Sequence, residues 1–139
     1  MIGPRTGSLK IVKQEHGQSF AELMLILPVL LLLMAAVLDV GRSLQAYVTL
    51  LNASREAAIL GASAQTDGGV LSALVADELV RGGLDPSLAT TTVLYQTSGF
   101  PPENHIIVQV DYTLPLLMSV LAIPNLQLSV DTEMVAYWQ

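Results

Sequence analysis

The chain has 139 residues, 52% of them hydrophobic and 13% charged, with 6 Lys and Arg against 12 Asp and Glu for a net charge of −6. High apolarity with low charge excludes a disordered chain, and the length fits a single domain. The absence of cysteine excludes a disulfide framework, a thiolate metal site and a Cys nucleophile, and the acidic balance argues against nucleic acid, whose binding needs a Lys/Arg footprint.

The first 17 residues set Arg5, Lys10 and Lys13 against Glu15, a balance of +2, and read as a basic leader peptide. Residues 23–38 follow as 16 uncharged positions, extended backwards through Phe20 and Ala21 past Glu22. That is close to the ~20 apolar residues that cross a bilayer as a helix. Pro28 near the start of the span is tolerable there and predicts a local kink. Residues 39–139 carry Arg42, Arg55 and Arg81 against ten acids, a balance of −7. The Lys/Arg excess therefore places the N-terminus in the cytoplasm and the C-terminal part outside it. Ordinary signal-peptide cleavage is the weaker reading, because no small-x-small triplet closes the apolar core.

The helical pattern continues beyond the span. Val40, Leu44, Tyr47, Val48, Leu51, Ala58 and Ala62 recur at helical spacing and predict an apolar stripe. One helix from about Ser19 to Ala64 would be roughly 70 Å long, and Thr66–Gly69 supplies the first strong stop. Residues 70–82 predict a short second helix with Leu71, Leu74, Val75 and Leu79 on its buried side. Three strands follow, at 91–97, 105–114 and 126–138. In the second, Ile106, Val108, Val110, Tyr112 and Leu114 share one face. In the third, Leu126, Leu128, Val130, Met134, Ala136 and Trp138 face one way, with Gln127, Ser129, Asp131 and Glu133 facing the other. Period two with one polar face predicts an antiparallel sheet buried on one side. The loop 100–104 joins the first two strands. The apolar segment 114–124 between the last two reads as a short helix or a membrane-proximal turn. The fold class is thus α+β: a leader at 1–17, a long helix at 18–64 whose first half spans the membrane at about 20–38, and a small exported domain at 65–139. The amphipathic stripe of the long helix is expected to cover the sheet.

Just before the span stands His16-Gly17-Gln18-Ser19-Phe20-Ala21-Glu22. A Gly, four further residues and a Glu at the entrance to an apolar helix resemble the processing site of type IV prepilins and pseudopilins. The resemblance implies cleavage after Gly17 by a membrane prepilin peptidase, leaving a new amino terminus on Gln18. Glycine offers an unhindered backbone for an extended substrate. A carboxylate inside lipid is costly unless paired, and in filaments of this type Glu22 would meet the terminal amine of a neighbouring subunit.

The longer stretch 17–60 is similar to the N-terminal domain of TadE-like proteins, minor pilins or pseudopilins of the tight-adherence (Flp, type IVc) pilus system. Glu22, Leu27-Pro28, Asp39-x-Gly41-Arg42, Tyr47, Asn52-Ala53 and Arg55-Glu56-Ala57 carry that similarity. Where family members commonly continue with Gly-Ala-Arg after the Glu, this chain has Ala57-Ala58-Ile59. The resemblance implies a structural, non-enzymatic protein that assists pilus assembly. Its implied partners are prepilin peptidase, other pilin subunits, the inner-membrane assembly platform and the lipid bilayer.

The processing residues carried over are Gly17, Gln18 and Glu22. Phe20, Leu23, Pro28, Asp39, Gly41 and Arg42 are the candidates for membrane seating and assembly. Asp39 and Arg42, three apart at the exit of the span, read as a local ion pair worth a few tenths of a kcal/mol. Gly41 permits close helix packing or a slight bend. His16 and His105 have no partner at metal spacing, and Ser54 and Ser63 have no base in reach. The sequence therefore offers no metal site, no cofactor motif and no catalytic residues. Its rival reading is an unprocessed, single-pass, membrane-anchored extracytoplasmic binding domain.

Overall fold

The computed structural model describes residues 15–99, 103–121 and 124–136, with the backbone alone at 15–18 and 120–121. The basic side chains of the leader, the loop residues 100–102 and Trp138 lie outside the described residues. Two compact units divide the chain, Met1–Met34 and Ala35–Gln139. In the first, the described residues are the N-terminal part of helix α1, Glu15–Ser63, which contains Pro28 without ending there. Its Phe20, Leu23, Met24, Leu25, Leu30 and Leu31 side chains are all exposed. Such a surface is stable only in an apolar surrounding.

The second unit takes the remainder of α1, helix α2 (Gly68–Arg81) and strands β1 (Ala89–Ser98), β2 (Glu103–Leu114) and β3 (Leu126–Val135). Single 3₁₀ helices at Pro86–Leu88 and Leu117–Leu121 lead into β1 and out of β2. The sheet is antiparallel with β2 in the centre, Val93 opposite Val108 and Val110 opposite Val130. Every second residue of β2 from Ile106 to Leu114 is buried, as the period-two pattern requires. On β3, Val130 and Ala136 are buried, Leu128 and Met134 half-buried, and Gln127, Ser129, Asp131 and Glu133 exposed. The arrangement is α+β, as the sequence pattern implies.

Local chemistry sets the ends of α2. The Asp67 carboxylate accepts the Gly69 N–H at 2.6 Å, an N-cap bond that satisfies one of the donors left over in the first turn. At the other end Gly83 has φ +76°, open to glycine at little cost. The Leu84 N–H then closes back on the Leu79 carbonyl at 2.8 Å. The helix begins two residues earlier than periodicity implies, because its apolar stripe starts only at Leu71. Leu71, Val75 and Leu79 are buried, as expected of that stripe.

The face that α1 turns to the sheet differs from the expected one. Ala46, Leu50, Ala53, Ser54, Ala57 and Ala58 are buried, whereas Val40, Leu44, Tyr47 and Val48 are exposed. Of the expected stripe, only Leu51, Ala58 and Ala62 pack against the core. Steric fit explains the choice. A Cβ added at Gly61 would lie 2.1 Å from Ile106 Cδ1, so helix and sheet approach more closely than bulky residues allow. Small side chains at 46, 53, 57, 58 and 61 permit that approach, and Leu50 fills the wider space between them. The larger apolar residues remain outside.

The Leu50→Ala and Leu44→Ala pair separates the two faces. Leu50 is 0% and Leu44 63% exposed. Truncating the buried side chain is expected to destabilise the unit by about 2–5 kcal/mol, and truncating the exposed one by less than ~0.5 kcal/mol. Urea unfolding in detergent, followed by circular dichroism, measures both.

Candidate functional site

The residues singled out in the sequence fall into two groups, one in each unit. In the first, Gly17 and Gln18 lie within α1, Glu15–Ser63. Gln18 and Glu22 are then i, i+4 neighbours on one side of the helix, roughly 6 Å apart along its axis. Glu22 is exposed, as are Phe20 and Leu23 beside it. A carboxylate inside lipid is costly unless paired. α1 contains a segment long and apolar enough to cross a bilayer, which fits a membrane-anchored protein.

The second group surrounds Asp39, only 6% exposed. Its carboxylate accepts the backbone N–H of Leu117 at 2.8 Å and of Met118 at 3.0 Å. Asp39 thus caps the 3₁₀ helix that leads out of β2 and ties it to α1. Arg42 Nη1 stands 3.8 Å from Asp39 Oδ1. That ion pair exists, but it is secondary to the two charge-assisted hydrogen bonds, which are shorter and stronger. The Ser43 hydroxyl donates to the Asp39 carbonyl at 2.7 Å. Among the described residues, an added Cβ at Gly41 would meet nothing within 4 Å.

Other side chains lock the helix to the sheet. The buried Ser54 hydroxyl lies 2.7 Å from Thr132 Oγ1 on β3, which explains the one polar residue on that strand's inward face. Ser54 is therefore structural, with no base within its contacts. The Tyr95 hydroxyl donates to the Thr66 carbonyl, and burial, aided by the charge of Asp67, raises its pKa above the ordinary phenol value. His105 Nδ1 lies 3.1 Å from Glu133 Oε1, and Gln109 donates to Asp111 at 3.1 Å. These are pairings across the polar sheet face. A cleft of about 300 Å³ opens beside Arg42, between Gln45, Asp85, Tyr112 and Pro115. There the Asp85 carboxyl is held below its ordinary range by hydrogen bonding from Ser87.

Gly17, Gln18, Glu22, the apolar residues 23–38 and Asp39, Gly41 and Arg42 all fall in residues 17–58, the stretch that matches the family described as TadE-like protein. The N-terminal segment of this chain is TadE-like. The match covers less than half of the chain and begins at Gly17 itself. It ends at residue 58, so α2 and the sheet lie beyond the TadE-like segment. No curated protein and no solved structure matches the chain.

Asp39→Ala leaves two backbone donors without their carboxylate and is expected to destabilise the C-terminal unit by about 1–3 kcal/mol. Arg42→Ala should change stability by less than ~0.5 kcal/mol, as expected for a long, partly exposed pair. The difference between the two midpoints of urea unfolding is the test.

Proposed function

We propose that the protein is a structural minor pilin or pseudopilin, processed by prepilin peptidase, that assists assembly of a Tad/Flp-type surface pilus. The observation that carries this reading is the uncovered side of α1. Val37, Val40, Leu44, Tyr47 and Val48 are exposed on one side of the helix, although the chain supplies a sheet that could have covered them. A helix side that is apolar and left open by its own domain is suited to packing against other subunits. Glu22 supports the same reading, since a carboxylate at the entrance to an apolar segment is matched by the amine that cleavage at Gly17 would create on a neighbour.

The protein then acts by packing and placement and not by catalysis. Gly17 and Gln18 are three and four positions into the residues that form α1. Cleavage after Gly17 needs an extended backbone there, which glycine adopts at little steric cost. The assembly platform and further pilin subunits are the partners, with the N-terminus cytoplasmic and the sheet outside.

Co-expression with prepilin peptidase should shorten the membrane-extracted chain so that it begins at Gln18. Retention of Met1, or a start beyond Ala36, contradicts the proposal and favours the anchored-domain or secreted alternatives respectively. Glu22→Ala should leave membrane insertion intact while reducing incorporation into pili. Unchanged incorporation would remove the assigned role of that carboxylate.

A further inference from the structure

The β2–β3 connection is held at the point where the apolar span ends. Residues 20–38 are 19 in number. As a helix they rise ~28 Å, close to the thickness of a bilayer's hydrocarbon core. The next residue is Asp39, whose carboxylate holds the N–H groups of Leu117 and Met118. The 3₁₀ helix Leu117–Leu121 therefore stands beside α1 at the level where α1 leaves lipid.

The chemistry of the turn suits that level. Residues 115–125 contain no charge. Leu117 is 48% exposed although its backbone is bound, Pro115 is exposed, and Leu116 and Met118 are half-buried. Because the Asp39 carboxylate satisfies two backbone donors, the turn can present apolar side chains without carrying those donors unsatisfied into a low dielectric. Beside it on α1, Val37 and Val40 are exposed as well. One turn farther along, the partly exposed Arg42 guanidinium is complementary in charge to headgroup phosphates.

We propose that this turn seats in the lipid interface as a second, monotopic membrane contact, with Leu117 as its leading side chain and Asp39 as the residue that sets its depth. The proposal rests on α1 spanning the bilayer. Lipid is the occupant because the exposed apolar turn continues directly from the end of an apolar span, at the height at which lipid is the neighbouring phase.

The chain has no cysteine, so single thiols can be labelled specifically in the full-length protein. Leu117→Cys, Ser98→Cys and Leu31→Cys, each carrying a polarity-sensitive fluorophore, are reconstituted in vesicles of phosphatidylcholine and phosphatidylglycerol with or without lipid-borne nitroxide quenchers. Ser98 pairs with Glu103, at the end of β2 opposite Leu114, roughly 36 Å away. The Leu117→Cys label is expected to be blue-shifted and to lose about half of its emission to a nitroxide near the headgroups, as for a group ~5–10 Å deep. The Ser98→Cys label should lose none. A Leu117→Cys label as open to aqueous quencher as the Ser98→Cys label overturns the proposal. So does one that is blue-shifted but untouched by lipid nitroxide, since a protein surface then covers it. Failure of the Leu31→Cys label to respond to a deep nitroxide instead overturns the spanning assignment itself.

Discussion

A small sheet with one apolar face needs a helix lying close against it, and the closeness of that contact governs the C-terminal unit. Three strands cannot hide Ile106, Val108 and Val110 from water by themselves. Helix α1 covers them at a distance set by Gly61 against Ile106 and by alanines at 46, 53, 57 and 58. That spacing decides which side of the helix is inside. Small residues and Leu50 occupy the buried side, and Val40, Leu44, Tyr47 and Val48 lie on the other. The exposed stripe is thus a consequence of how the sheet is covered, and it leaves the helix with two apolar sides that serve different neighbours.

Two polar contacts orient the covering. Ser54 reaches Thr132 across the helix–sheet boundary, and Asp39 reaches the turn after β2. Both sit on the buried side of α1, near opposite ends of the contact. Hydrophobic packing is non-directional, so paired hydrogen bonds of this kind select one register of helix on sheet among several that would bury similar area. Asp39 has the further effect of joining the end of the apolar segment to a turn almost eighty residues later in the chain. The same carboxylate thereby fixes the start of the second unit's helix to the turn after β2.

Much of this was legible in the sequence, and the parts that were not share a cause. Strands announce themselves by period two, which is why Ile106 to Leu114 could be assigned to one face. The composition of residues 23–38 was equally plain. Bulky apolar residues do not mark the buried side of α1, because hydrophobicity alone does not distinguish a side that faces a sheet from one that faces a different neighbour. Ala46, Ala53, Ala57 and Gly61 carried the true signal, small residues at three- and four-residue intervals. Asp39 stands three residues from Arg42, the spacing of a local helix pair. Its principal partners are far away in sequence and are backbone groups, which no side-chain pattern reveals. The same holds for Ser54 and Thr132. Gly17, Gln18 and Glu22 all fall within the TadE-like match, at its N-terminal end.

Under the proposed function, one side of α1 faces its own sheet and the other faces neighbouring subunits. Cysteine cross-linking tests it directly in membranes that contain the peptidase and the assembly platform. With Leu44→Cys or Tyr47→Cys, oxidation should join one copy to another. With Leu50→Cys or Ala57→Cys, on the side buried against the sheet, it should not. Cross-links at the buried positions but not at the exposed ones, or monomers throughout in cells that assemble pili containing the protein, would contradict it.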